Sequence, residues 1–160
     1  LRELYTRYGG KKVSVIGWSL GGVFARVLAQ EAPEYVKQVI TLGSPFAGLR
    51  EPNNARWLYE AVSGREIGDI PTELFEKVAA PPIVPFTSIY SKTDGVVSWQ
   101  HCLEKPSQTA QNIEVHSSHF GMGHDPSVLA CIINRLGQNE SDWQHFSPRN
   151  FSKFMYPNLK

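Results

Sequence analysis

Apolar positions along the chain fall into two alternating patterns, short continuous runs and stretches with helical spacing. Four of the short runs are rich in β-branched and aromatic residues, at 13–16, 36–42, 83–90 and 111–116. Such runs are typical of strands that are buried on both faces of a parallel sheet. Helical patterns lie between them and after the last one. We therefore predict an α/β fold, with a mostly parallel sheet flanked by helices.

The helical segments have recognisable ends. Residues 1–8 read as the last turns of a helix that stops at Gly9-Gly10. The last helix is predicted to begin at Pro126, after Asp125 as N-cap, and to end at Leu136 before Gly137. For the helix after the first strand, helical spacing predicts an apolar face of Val23, Phe24, Val27 and Leu28, with Arg26, Gln30 and Glu31 turned outward.

Residues 49–82 interrupt the alternation of strands and helices and form a predicted insert. Helices are expected at 54–62 and 73–79. A helical cap or lid over a pocket is one interpretation, because such segments exclude water and control access. An ordinary helical crossover with a long connection is the other, and both can hold. The core domain then spans 1–137, and 138–160 form an extension that packs onto it or contacts a partner.

Composition argues against several classes of function. The 160 residues include 16 basic and 15 acidic side chains, a net charge of +1, which indicates no nucleic-acid or anionic-membrane partner. No apolar run approaches the roughly 18 residues of a transmembrane segment. Cys102 and Cys131 are interpreted as free thiols, with a disulfide between them as the alternative. The histidines and cysteines lack metal-ligand spacing, so we expect neither a metal nor a cofactor.

The sharpest local signal is a G-x-S-x-G motif, Gly17-Trp18-Ser19-Leu20-Gly21, between the first strand and the helix that follows it. A strand–turn–helix of this kind holds a serine hydroxyl clear of its own backbone, as a nucleophile requires. We expect a side chain at position 17 or 21 to collide with the neighbouring strand or helix. The backbone N–H of Leu20 is predicted to donate to an oxyanion at the helix N-terminus.

A carboxylate and an imidazole follow at later strand ends. Asp94 comes after the third strand, and His119 lies in a glycine-rich bend after the fourth. Serine, acid and histidine in this order form the catalytic triad of one fold, with histidine as base and aspartate holding its tautomer. His124 flanks the same bend and remains the alternative base. Of the other histidines, His116 is expected in the fourth strand, and His101 and His145 lie outside the strand-end loops.

These segments resemble the α/β hydrolases of the bacterial lipase and esterase kind. The matching stretches are GWSLGG, TLGSPFAG, YSKTDGVVSW and SSHFGMGHDPSVLACIINRL, and the similarity covers most of residues 1–137. The resemblance implies Ser19 as nucleophile, Asp94 as acid and His119 as base, with an acyl-serine intermediate. It also implies further strands and a second oxyanion donor ahead of the first strand. We therefore interpret the chain as the C-terminal part of a longer enzyme with a partial α/β-hydrolase fold.

The expected function is hydrolysis of uncharged carboxylic esters, either small molecules or lipids. Trp18 and Phe46 are expected to contact the substrate, and for Trp18 packing at the sheet edge is the alternative. Acyl transfer by the same triad stays open. A non-catalytic binding module of this fold is a further alternative, from another class of function.

Overall fold

The computed structural model describes residues 1–47, 72–148 and 154–159, and of 72–75 only the backbone. The predicted helix at 54–62 therefore lies outside the described residues. Helix 73–79 is present, and Thr72 precedes it in the same helix. The interpretation of the insert as a cap stays a prediction.

The described strands form one parallel sheet of four. They are β1 (Val13–Trp18), β2 (Val36–Leu42), β3 (Phe86–Tyr90) and β4 (Ala110–Glu114), and they lie side by side in chain order. Their carboxyl ends consequently share one edge of the sheet, where ligands bind in open α/β sheets. The predicted α/β fold with a parallel sheet is confirmed.

Within the described ranges, four α-helices connect and flank these strands. They are α1 (Arg2–Arg7), α2 (Leu20–Glu31), α3 (Thr72–Ala79) and α4 (Pro126–Leu136). The predicted bounds of α4 are confirmed, because Asp125 Oδ1 accepts a hydrogen bond from the Ser127 N–H at 2.8 Å and Pro126 occupies the first helical position. None of the helices in the described ranges has the length and apolar character needed to cross a bilayer.

The bounds of three strands differ from prediction, and β1 runs to Trp18, two residues beyond the predicted run. β3 begins at Phe86, three residues later than expected, and Ile83 is exposed. The reason is local: Pro81, Pro82 and Pro85 lack the N–H that a strand contributes to its ladder. β4 ends at Glu114, so His116 lies outside the strand and is exposed.

The inward face of α2 was predicted correctly for Val23 and Val27 and incorrectly for Phe24, Leu28 and Arg26. Arg26 is only 1% exposed, whereas Phe24 is 50% exposed and Leu28 is exposed as well. Small residues and Val23 instead bring α2 close to the sheet, and the Arg26 side chain enters the space beside them. Its Nε donates to the Val78 carbonyl at 2.7 Å, and its guanidinium forms a buried ion pair with Glu104. Satisfied hydrogen bonds and an ion partner make the burial of this charge tolerable.

In the described residues, the two larger hydrophobic clusters lie on opposite faces of the sheet. Val39 and Ile40 of β2 are neighbours in sequence and so point to opposite faces. Val39 packs in the cluster that joins the sheet to α2 and α3, and Ile40 packs in the cluster that includes Val128 and Cys131 of α4. The sheet is thus covered by helices on both sides, as in a three-layer α/β domain.

The C-terminal extension packs on the face that carries α4. Phe146 and Tyr156 are buried there, and the Gln111 side chain exchanges two hydrogen bonds with the backbone of Phe146, at 3.0 and 2.6 Å. Cys102 and Cys131 are both free and buried, which confirms the free thiols and contradicts the disulfide alternative.

Candidate active site

Ser19 stands alone between β1 and α2 in an unusual backbone conformation. Its φ of 53° and ψ of −126° make it the single non-glycine residue with positive φ in the described ranges. The Ser19 N–H donates to the Leu42 carbonyl of β2 at 2.8 Å, which fixes the turn to the neighbouring strand. Such strain persists only where the surroundings impose it, and it is concentrated at functional sites.

Glycines make the turn possible, but not the pair that was predicted. A Cβ on Gly17 would lie 2.3 Å from the Gly21 carbonyl oxygen and 2.4 Å from Gly22 Cα, so Gly17 is required. A Cβ on Gly21 would meet nothing within 4 Å, and the predicted collision there is wrong. The close approach is made one residue later, where a Cβ on Gly22 would lie 2.0 Å from Ser44 Oγ.

The N-terminus of α2 presents the predicted oxyanion donor. Leu20 is the first residue of the helix, where the backbone N–H has no acceptor within the helix. Ser19 occupies the N-cap position, yet its side chain makes no capping hydrogen bond. Its hydroxyl is therefore not engaged by the helix end and is available for other chemistry.

Asp94 and His119 meet although 25 residues separate them. His119 Nδ1 and Asp94 Oδ2 are 2.7 Å apart, and both side chains are almost completely buried. The other oxygen, Asp94 Oδ1, accepts hydrogen bonds from the N–H groups of Val96 and Val97, at 2.8 and 2.9 Å. Both oxygens of the carboxylate thus have polar partners, and the His119 ring is held at Nδ1.

Hydroxyl groups connect the loop that carries Asp94 to the loop that carries His119. Ser91 Oγ accepts from the Thr93 N–H at 3.1 Å and from the Ser117 N–H at 3.2 Å. Thr93 Oγ1 donates to the Ser117 carbonyl at 3.1 Å and lies 2.9 Å from Ser91 Oγ. These side chains were not predicted as part of the site. Serine and threonine beside an Asp-Gly turn carry no signal in sequence that separates them from ordinary turn residues.

Gly43 is a second residue of the site that the sequence did not indicate. It follows β2 with φ of 51°, and a Cβ there would lie 2.9 Å from Asp94 Oδ2 and 3.2 Å from His119 Nδ1. Asp94 and His119 consequently pack against the backbone of Gly43, where there is no side chain. Gly43 belongs to the stretch TLGSPFAG that the sequence analysis singled out. Its neighbours Asp94 and His119 come from two later loops, and the local sequence cannot reveal such contacts.

Trp18 and Phe46, the predicted substrate contacts, occupy different environments. Trp18 is 42% exposed at the end of β1 and packs against His119 and Phe120. Phe46 is 1% exposed and packs in the core, with its ring edge against Phe86 and its face 4.6 Å from the Arg26 guanidinium. In this structure Phe46 therefore offers no surface to a substrate.

Among the described residues, no other histidine forms a hydrogen bond with Asp94. His124 ends the 3₁₀ helix Phe120–Gly123 and is exposed. His145 Nε2 lies 2.8 Å from the Ser107 carbonyl oxygen, and His101 belongs to the 3₁₀ helix Trp99–Cys102. Of the two candidates for the base, the structure places His119 against the carboxylate.

The hydrogen bonds of the described residues do not include one between the Ser19 hydroxyl and His119. In substrate-free enzymes the catalytic hydrogen bonds are often long and tighten only when substrate binds. Trp18, which precedes Ser19 in the chain, has its ring centroid 5.4 Å from that of the His119 imidazole.

Two further properties concern the surroundings of the site. Burial, with the negative charge of Asp94 as a second cause, raises the pKa of Cys102 to about 12 and keeps it a neutral thiol. In the part of the chain that the structure describes, no three histidine, cysteine, aspartate or glutamate side chains come together as metal ligands would.

Comparisons with known proteins address the fold. A sequence profile described as alpha/beta hydrolase fold matches residues 1–66. A search of curated protein sequences finds no match. Among solved structures, the chain is similar to the esterase domain of a Rhodothermus marinus protein, at 24% identity and a TM-score of 0.54, over 84% of this chain and 62% of that one.

Two other solved structures extend the likeness. An alpha/beta superfamily hydrolase from Oenococcus oeni aligns with a TM-score of 0.56 at 12% identity, over 88% of this chain and 72% of that one. An epoxide hydrolase from Bacillus megaterium aligns with a TM-score of 0.52 at 11% identity, over 86% and 73% of the two chains. The chain spans 62–65% of the length of three of the structures that it matches.

These likenesses agree with the architecture built above from the strands upward. A parallel sheet, helices on both of its faces and a strained serine between a strand and a helix are features of the α/β-hydrolase fold. The described residues have all three. The chain therefore has part of the α/β-hydrolase fold.

Proposed function

We propose that this chain carries the catalytic triad of a serine hydrolase that cleaves carboxylic esters. The buried contact between Asp94 and His119 is the observation that carries the proposal. A carboxylate paired with an imidazole at the sheet edge that also bears a strained serine is the arrangement that nucleophilic catalysis requires. The likeness to an esterase domain is in keeping with this chemistry.

In the proposed reaction, Ser19 Oγ attacks the ester carbonyl carbon while His119 Nε2 takes its proton. Asp94 accepts the hydrogen bond from Nδ1–H, which leaves Nε2 as the free base and stabilises the imidazolium that forms. The Leu20 N–H donates to the oxyanion of the tetrahedral intermediate. The imidazolium then protonates the leaving alcohol, and a water activated by His119 hydrolyses the acyl-serine.

The test is intact-mass analysis of the chain after incubation with a fluorophosphonate, which phosphonylates an activated serine irrespective of the natural substrate. We expect one adduct on the natural chain and none on Ser19→Ala. A folded natural chain that takes no label, or that is labelled equally in Ser19→Ala, would refute the proposal.

A matched pair of histidine variants tests which imidazole is the base. We expect His119→Ala to slow labelling by about 10²–10⁴-fold, the usual contribution of a general base. His124→Ala should label at the rate of the natural chain, because His124 is exposed and forms no hydrogen bond with Asp94 among the described residues. A large loss in His124→Ala together with normal labelling of His119→Ala would reassign the base.

A further inference from the structure

The side chain that precedes the proposed nucleophile is attached to the loop of the proposed base. Trp18 Nε1 donates a hydrogen bond to the backbone carbonyl of His119 at 3.1 Å, across 101 positions in the sequence. The indole ring is tilted by 37° to the imidazole, with 5.4 Å between the ring centroids. One residue thus contacts both the backbone and the ring of His119.

Phe120 completes a cluster of three rings. Its centroid lies 5.8 Å from that of Trp18 and 5.8 Å from that of His119, with edge-to-face geometry in both pairs. Edge-to-face and offset ring pairs add to the stability of packing beyond the area that they bury. The cluster therefore holds the first turn of the 3₁₀ helix Phe120–Gly123 against the end of β1.

The Asp94 carboxylate holds only the imidazole of His119, at Nδ1. Ser91 and Thr93 hold the same loop at Ser117, two residues earlier, and neither contact fixes the backbone of His119 itself. The Trp18 hydrogen bond fixes the main chain of His119, so that the imidazole is held at two points. Trp18 is also bonded directly to Ser19, whose N–H is anchored to Leu42 of β2. A shift of the His119 loop is therefore resisted by the same strand that carries the nucleophile.

We propose that Trp18 is a positioning residue, which sets the distance between the Ser19 hydroxyl and the His119 imidazole by tying the base loop to the strand of the nucleophile. This inference rests on the proposed function. It differs from the expectation that Trp18 serves as a wall of the substrate pocket. A positioning role predicts loss of rate with every reagent, because misplacement of a catalytic group by about 1 Å can cost on the order of 100-fold.

The variant that separates the roles is Trp18→Phe, which keeps an aromatic ring and removes the N–H donor. Its matched control is Trp143→Phe. The Trp143 indole N–H has no acceptor among the described residues, and its ring packs on Arg135 and His145. Both variants remove an indole N–H, but only one removes a hydrogen bond to the base loop.

The first measurement is the rate of labelling by two fluorophosphonates, one with a methyl group and one with a long alkyl chain. We expect Trp18→Phe to slow both by the same factor, about 10- to 100-fold, and Trp143→Phe to slow neither by more than about twofold. A loss confined to the long-chain reagent would make Trp18 a pocket wall and overturn the proposal.

The second measurement is hydrogen exchange of the segment 117–124, which does not depend on activity. Its backbone bonds include Met122 N–H to the Ser118 carbonyl and His124 N–H to the Gly121 carbonyl. We expect faster exchange there in Trp18→Phe and unchanged exchange in Trp143→Phe. Unchanged exchange in Trp18→Phe overturns the proposal. If the natural chain takes no label but exchange rises in Trp18→Phe, the proposed function fails while the attachment of the loop by Trp18 stands.

Discussion

Two residues with positive φ shape the site, and they were foreseen to different degrees. Ser19 is strained within a motif of five consecutive residues, so the sequence indicated both its conformation and its exposure to chemistry. Gly43 has the same sign of φ, but its reason lies in Asp94 and His119, which are distant in the chain. A constraint imposed by tertiary contacts leaves no local pattern, and the sequence analysis accordingly missed it.

Substitution of Gly43 tests this reading. In Gly43→Ala the new Cβ would lie 2.9 Å from Asp94 Oδ2, and a positive φ costs an L-residue about 1–2 kcal/mol. We expect the unfolding free energy to fall by about that amount in urea titration, and the rate of fluorophosphonate labelling to fall by about tenfold or more as the acid and base are pushed apart.

The control variant, Gly95→Ala, lies in the loop that carries Asp94. A Cβ on Gly95 meets nothing within 4 Å, so Gly95→Ala should leave the labelling rate within about twofold of the natural chain, although it adjoins Asp94. Equal losses in the two variants would mean that any change near the carboxylate is harmful, and that the space kept by Gly43 has no special role.

At the scale of elements, the sequence predicted which segments are helices and strands better than it predicted which face is buried. The bounds of β2 and α4 agree with prediction because each is delimited by turn and cap residues. The prediction for α2 failed at Arg26, because the periodicity of apolar side chains takes no account of a charge that is buried with a partner. Arg26 is buried through Val78 and Glu104, which lie 52 and 78 positions away.

The cap of α4 makes a prediction about pH. Partial burial acts to raise the pKa of Asp125, but hydrogen bonds from the Ser127 hydroxyl and from the N–H groups of Ser127 and Val128 lower it, and the net pKa lies below the ordinary value. The carboxylate therefore stabilises the folded chain above the ordinary aspartate pKa of about 3.9, and this contribution disappears as pH falls through the lower, folded pKa.

Asp125→Asn keeps an acceptor at the cap without a titrating charge and so isolates this effect. We expect the natural chain to exceed Asp125→Asn in unfolding free energy by a constant margin between about pH 7 and 5, and the margin to shrink below about pH 4. Asp125→Ala, which also loses the cap, should cost about 1 kcal/mol at neutral pH. A margin that stays the same down to pH 3 would contradict the assignment.

At the scale of the molecule, the fold brings the ends of three strands to one edge and places one member of the candidate site after each. Ser19 follows β1, Asp94 follows β3 and His119 follows β4, while Gly43 after β2 leaves room for the pair. The parallel alignment of the strands could be expected from the alternating pattern, and with it the convergence of these loops at one edge. The hydroxyl network and the Trp18 contact could not, because they depend on angles within loops rather than on which strand ends meet.

The buried pair of Arg26 and Glu104 connects distant parts of this architecture. It joins α2, which begins at the candidate nucleophile, to the connection between β3 and β4, and the Arg26 guanidinium also donates to the carbonyls at the end of α3. Removing one partner leaves a buried charge without its counterion, which typically costs about 3–5 kcal/mol, whereas replacing both by apolar residues is often nearly neutral.

A double-mutant cycle in urea measures this coupling. We expect Arg26→Met to be strongly destabilising, because the buried Glu104 would then lose its ion pair with Arg26, and Glu104→Met likewise. The double variant should be less destabilised than the sum of the two by about 2 kcal/mol or more. The surface pair of Lys12 and Glu140 is the control, since its partners are partly exposed and such pairs contribute about 0–1 kcal/mol. Additive losses at Arg26 and Glu104 would show that each residue is held by its own hydrogen bonds. The ion pair would then not couple α2 to the connection between β3 and β4.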